Sequence, residues 1–311
     1  MKYAKGEATA GGTLLLFILF LIVLGVVWVY TGGPSRPISL SGPFLSPPLV
    51  PQIPIGGGAG QPGGIQADQG AVQATNPFSS YRGVIATADI SPYASSVTLR
   101  ADNTQTTDPK NEYISIRIEP GLKNTVTLSG WKIVDDGSGA QVNIGMGVQI
   151  PFLGQVNTAD PITLTSNSTV YVTTGRSPNG VSYRLNECTG YFAQSQQWSP
   201  SLPSECPSPT KELARSPNLA NEQACANFVQ SLPTCQIYTS SVPGSIGSAC
   251  QSFVLNELSY NGCVSTHKND ADFYRNEWRV FLNRDQELWK GDHGGIRLLD
   301  ENGKVVAAVS Y

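Results

Sequence analysis

Two histidines and six cysteines are the side chains in this sequence best suited to make a nucleophile or hold a metal. Cys263 and His267 stand four positions apart, a spacing at which an imidazole could draw the proton from a thiol. Cys263 is, however, one of an even set made up of Cys188, Cys206, Cys225, Cys235, Cys250 and Cys263, all in the C-terminal half. None of them makes a C-x-x-C pair, so neither a zinc ribbon nor a redox dithiol is spelled out. The simpler fate is three disulfides, and the sequence does not choose among the possible pairings.

The remaining groups are weaker. His293 lies in Gly291-Asp292-His293-Gly294-Gly295, flanked as in a turn, which puts its ring in solvent. Asp135-Asp136 and Asp270-x-Asp272 are the closest carboxylate groupings, and neither has the spacing of an EF-hand loop. The first reads as a solvated turn and the second as an element boundary. A G-x-S-x-G elbow and a Walker A loop are both missing from the sequence. The expectation is therefore no catalytic residue, no metal site and no cofactor. The rival reading is an extracytoplasmic hydrolase that works through residues of the Cys-containing segment.

The elements that must position these groups are mostly strands. Tyr113-Ile114-Ser115-Ile116-Arg117-Ile118 alternates strictly, with the three isoleucines on one face. Further β-favouring runs are Arg82–Ala88, Thr125–Leu128, Trp131–Val134, Gln141–Ile144, Ile162–Leu164 and Val170–Thr174. The pattern returns at Trp278–Leu282, Gly295–Asp300 and Lys304–Val309, with Asn302-Gly303 as a hairpin turn. Strands at this spacing, joined by polar turns, predict an antiparallel sandwich or barrel.

Residues 177–276 differ in texture. This segment holds all six Cys, is rich in Ser, Pro, Asn and Gln, and carries two short helical patterns. One sets Ala220, Ala224 and Phe228 at steps of four, with Cys225 and Val229 beside them. The other, Ser248–Leu258, sets Ala249 with Phe253 and Cys250 with Val254 and Leu258. It reads as an insertion crowning the sandwich, poor in large apolar residues and in need of cross-links. Trp131 and Trp278 are expected in the core and Trp289 as a packing plug. Tyr191, Phe192 and Trp198 are expected to form the insertion's own small core.

The N-terminus sets the compartment. Leu14 to Tyr30 is almost continuously apolar, about 26 Å long as a helix, and residues 13–31 read as a membrane span. Lys2 and Lys5 precede it and no Lys or Arg follows before Arg36. The positive-inside rule then places residues 1–12 in the cytoplasm and the rest outside. Residues 32–78 are dense in Pro and Gly and read as a disordered linker, leaving 79–311 as the displayed domain. An oxidising compartment permits the disulfides. Only 14% of the 311 residues are charged and the net charge is −3, which offers no basic stripe and excludes nucleic acid as a partner.

Two stretches resemble the lamin tail domain family. Glu112–Ile116 followed by Val126-Thr127-Leu128-Ser129-Gly130-Trp131-Lys132-Ile133 is similar to the family's strand pair around its Leu-Ser-Gly-Trp core. Asn283 to Tyr311, with Leu288-Trp289 and Leu298-Leu299-Asp300-Glu301-Asn302-Gly303-Lys304-Val305-Val306, is similar to its closing motif. The resemblance singles out Leu128, Gly130, Trp131, Leu288, Trp289, Leu298, Asp300, Gly303 and Tyr311. It implies an immunoglobulin-like β-sandwich and a binding or structural module without an active site. The long insertion departs from the family, and Gly291–Gly295 departs slightly where the family carries an Asp. The expected partners are the membrane, through the anchor, and a surface protein or envelope polymer.

Overall fold

The computed structural model describes residues 19–23, 78–291 and 293–311. The chain divides into two units, Met1–Gln69 and Gly70–Tyr311. In the first, Leu19–Val23 are helical and exposed. The rest of the expected span at 13–31, and the linker at 32–78 apart from Phe78, lie outside the described residues. Among the described residues no helix is long and apolar enough to cross a membrane.

The second unit is mainly β. The strands are β1 Val97–Asn103, β2 Tyr113–Ile118, β3 Val126–Thr127, β4 Lys132–Asp135, β5 Gln141–Asn143 and β6 Thr163–Leu164. They continue with β7 Thr169–Thr173, β8 Tyr183–Asn186, β9 Tyr274–Phe281, β10 Gly295–Leu299 and β11 Val305–Ser310. A five-stranded sheet runs β1-β2-β7-β9-β8 and a four-stranded sheet runs β11-β10-β4-β5. β3 and β6 form a short pair. All pairings are antiparallel except β7 with β9.

Register explains the core. Leu99 lies opposite Ile116, Ile116 opposite Val170, and Val170 opposite Trp278. Ile114, Val172 and Val280 form a second row across the same sheet. With side chains alternating along each strand, these rows line one face. They share one buried cluster with Ile133, Ile296 and Leu298 of the other sheet, and with Trp131 and Trp289. The alternation seen at Ile114, Ile116 and Ile118 is met, since all three are sealed from solvent.

Three expectations are corrected. Arg82–Ala88 is not a strand. The backbone bonds to β11 flank it, with Ser310 N donating to Ser80 O and Ser91 N donating to Val305 O. Between them no ladder forms: Thr87–Asp89 is a 3-10 turn and Val84 is fully exposed, while Ile85 packs on the cluster of Phe78, Ala94, Val305 and Ala308. Asp135-Asp136 is a solvated turn only from Asp136 on, which is exposed in the turn that follows β4. Asp135 is buried and accepts from Ser138 N at 2.8 Å, Ser138 Oγ at 2.6 Å and Tyr311 Oη at 3.0 Å. Asp136 accepts from Arg297 Nε at 2.7 Å.

The third correction concerns the segment 177–276, which does not merely sit on the sandwich. It supplies β8 and the start of β9 to the edge of the larger sheet. Its helices are α1 Pro209–Ala214, α2 Pro217–Ala220, α3 Gln223–Gln230, α4 Ser248–Ser252 and α5 Tyr260–His267, with a π-turn at Phe253–Glu257. In α3 the buried stripe is Cys225 and Val229, and Ala224 is exposed. Cys250, Val254 and Leu258 are buried as the second pattern predicts. The sequence patterns missed α1, α2 and α5. Pro209 and Pro217 at the first helical position and Ser208 and Ser259 as N-caps were the available signals.

β9 is covered on both faces. Trp278 and Val280 point into the shared core, while Phe281 packs in a second cluster with Tyr183, Cys188, Tyr191, Phe192 and Tyr260. Arg279, also buried, donates to Pro200 O at 2.6 Å and Ser201 O at 3.1 Å and lies over the Tyr171 ring. β9 therefore grips the insertion through its outward side chains Arg279 and Phe281.

Candidate functional site

The six cysteines form three disulfides, Cys188–Cys263, Cys206–Cys235 and Cys225–Cys250, and no cysteine is free. Cys263 therefore carries no thiol for His267 to activate, and the nucleophile–base pairing at that spacing does not exist. What the Cys188–Cys263 bond does is join the exit of β8 to the middle of α5. It brings Glu187, the neighbour of Cys188, to the ring of His267, one turn beyond Cys263.

Three segments converge on that ring. Asn186 ends β8 and locks the exit turn, because its Oδ1 accepts from Cys188 N at 3.0 Å and its Nδ2 donates to Tyr260 Oη at 3.3 Å. Glu187 N donates to Phe273 O, which fixes the backbone that carries its carboxylate. α5 begins with Ser259 accepting from Gly262 N and ends at His267. Asp270 N then donates to His267 O, a turn that folds the Asp270 carboxylate back onto the ring. α1 begins with Ser208 accepting from Lys211 N and presents Glu212 from the other side.

His267 Nδ1 lies 2.7 Å from Asp270 Oδ2 and 3.3 Å from Glu187 Oε1, and Nε2 lies 2.9 Å from Glu212 Oε1. His267 is 6% exposed. Burial alone would lower its pKa. The hydrogen bonds to Asp270 and Glu212, with the charges of Glu212 and Glu187, outweigh burial and hold the imidazole above its usual value. Burial raises Glu187, and the His267 charge only partly offsets it. Its Oε1 is shut off from solvent and accepts no hydrogen bond.

The cluster opens onto a cleft of about 520 Å³ edged by Glu205, Asp272, Lys211, Arg215 and Arg275. Glu187 and Glu212 were not visible as site residues in the sequence. The signals were the adjacency of Glu187 to a cysteine and the position of Glu212 in a Ser-Pro-initiated helix. His293 is exposed in a bend, and its neighbour Asp292 lies outside the described residues.

The residues singled out by the resemblance occupy the sandwich. Leu128, Trp131, Leu288, Trp289, Leu298 and Asp300 are buried. Gly130 and Gly303 take φ of +92° and +75°, a region that disfavours any side chain. Asp300 accepts from Ser91 Oγ, Asn302 N and Lys304 N and so shapes the β10–β11 turn. The two stretches meet directly. Glu112 accepts from Leu288 N at 2.8 Å and Trp289 N at 3.1 Å, and Trp131 Nε1 donates to Glu301 Oε2 at 3.0 Å. Lys132–Asp135 pairs with Ile296–Leu299. Tyr191, Phe192 and Trp198 pack on Tyr183, Tyr260 and Phe281, as the insertion's own core. In comparisons with known proteins, no family model matches the chain and no curated protein matches it.

Proposed function

We propose that residues 79–311 are a binding and structural module without catalytic chemistry of its own, an immunoglobulin-like sandwich of the lamin-tail type. The anchor at 13–31 and the Pro/Gly linker at 32–78 display it outside the cell membrane, where it tethers or recognises a surface protein or envelope polymer. The observation that carries this reading is the convergence of the two lamin-tail-like stretches on one another. Glu112 seats the backbone of Leu288 and Trp289, and Trp131 reaches Glu301. Residues that the resemblance singles out are thus spent on holding one sandwich closed.

Two further features support it. Cys263 is consumed by Cys188, and both ring nitrogens of His267 face carboxylates, so neither acts as a free nucleophile or base. Three disulfides in one segment fit an oxidising compartment.

Protease added to intact cells tests the display. It should remove the C-terminal region and leave a membrane-bound N-terminal fragment. A protected C-terminal region, or a mature chain beginning near Gly32, overturns that half. Cross-linking on intact cells should capture a surface protein or envelope polymer. Turnover of ester, peptide or glycoside substrates by the purified oxidised chain overturns the non-catalytic half.

A further inference from the structure

We propose that Glu187, His267 and Asp270 form a binding site for a divalent transition metal of the zinc class, with Glu212 holding the imidazole from outside the coordination shell. The ligating atoms are Glu187 Oε1, His267 Nδ1 and Asp270 Oδ2, and all three lie within 4.8 Å of one another.

The distances fit an ion among them. Ligands bound at about 2.0–2.2 Å in a tetrahedron stand about 3.3–3.6 Å apart. Glu187 Oε1 and His267 Nδ1 are 3.3 Å apart. Asp270 Oδ2, at 2.7 Å from Nδ1, needs to swing outward by less than an ångström or so. Its side chain is 41% exposed and has the room. The ring faces two carboxylate oxygens through Nδ1, and its other nitrogen faces the third carboxylate. Nε2–H donating to Glu212 Oε1 at 2.9 Å is the carboxylate–histidine–metal arrangement, in which the outer carboxylate fixes the tautomer and orients the ring.

A simple imidazolium leaves this cluster unfinished. One proton on Nδ1 cannot serve two carboxylates, and Glu187 Oε1 is left buried without a hydrogen bond. Three carboxylates also meet a single positive charge, whereas an ion beside a neutral ring brings two. The nitrogen and two carboxylate oxygens favour zinc or its neighbours over calcium or magnesium, which take all-oxygen sites. The cleft gives an entry path and a fourth coordination position for water.

The site is also braced. Cys188–Cys263 ties the residue beside Glu187 to the helix that ends in His267, with Cα atoms 5.8 Å apart. The metal would therefore link the exit of β8 to the end of α5, with α1 attached through the Glu212 hydrogen bond to the ring, and it would act as a structural clamp.

Titrating the full-length oxidised chain in detergent with Zn²⁺ by calorimetry, after chelation and dialysis, tests the proposal. Co²⁺ serves as a spectroscopic stand-in through its visible d–d absorption. One equivalent of Zn²⁺ should bind, with Ca²⁺ and Mg²⁺ failing to compete. Glu187→Gln and Asp270→Asn should each weaken binding at least about tenfold, and Glu212→Gln about 10–100-fold, with stoichiometry kept. The Co²⁺ spectrum should change in Asp270→Asn, which alters a half-exposed group and leaves the core intact. Absence of saturable Zn²⁺ binding by the folded chain overturns the site. So does an unchanged affinity in both Glu187→Gln and Asp270→Asn.

Discussion

Glu212 Oε1 lies 2.9 Å from His267 Nε2, and both side chains are only 8% exposed. The contact spans 55 residues and joins α1 to the last turn of α5. A cation at a helix C-terminus also gains from the helix dipole. Removing Glu212 leaves His267 Nε2 buried without an acceptor while Nδ1 keeps Asp270 and Glu187, which costs about 1–3 kcal/mol. Glu212→Ala should lose that much stability in urea unfolding of the oxidised chain with a chelator present. Asp270→Asn touches the same ring from the half-exposed side and should cost less than about 1 kcal/mol. Equal losses in the two variants would mean that the ring is held from the cleft and not from α1.

The disulfides make a second prediction. Peptide mapping without reduction should recover the pairs Cys188–Cys263, Cys206–Cys235 and Cys225–Cys250. Replacing both Cys188 and Cys263 by Ala opens a link between residues 75 apart and should lower stability by about 2–5 kcal/mol. Cys225–Cys250 lies in a separate apolar cluster with Val229, Phe253 and Leu258. Its removal should loosen α3 and α4 in hydrogen exchange while the amides of β2, β7 and β9 stay protected. Loss of protection across the sheet would show that the helical cluster and the sandwich unfold as one unit.

What could be read from the sequence was what depends on local period. Ile114, Ile116 and Ile118 announce a buried face because strand side chains alternate, and the register with β1 and β7 then places them without further information. Asn302-Gly303 announces its turn because Gly303 needs a positive φ. The parity of the cysteines gave their oxidation state but not their partners. The cluster on His267 had no local signature. Asp270 is near in sequence, but Glu187 and Glu212 reach the ring only after a disulfide and a helix packing have been set. Asp135 failed for the same reason. The turn is solvated, but the Asp135 carboxylate at its start is buried and accepts from Tyr311, 176 residues away.

Glu112 carries the last prediction. Its carboxylate is sealed from solvent and accepts from the backbone N–H groups of Leu288 and Trp289. Glu112→Ala would leave two buried donors unpaired, each at about 1–3 kcal/mol, and should be among the most damaging single changes in the sandwich. The pH dependence is more specific. Burial raises the Glu112 pKa above 4.5, and the hydrogen bonds from the Leu288 and Trp289 N–H groups only partly pull it back. A carboxyl with a higher pKa in the folded than in the unfolded state binds its proton more tightly when folded. Its contribution to stability therefore improves as pH falls through the folded pKa and levels off below 4.5. Glu112→Gln removes this titration and keeps an acceptor oxygen. Thermal melts of both chains between about pH 7 and pH 4 should show the wild type gaining on Glu112→Gln as the solution is acidified. A gap that is constant, or that moves against the wild type, would mean that the two backbone donors outweigh burial and hold the carboxylate charged.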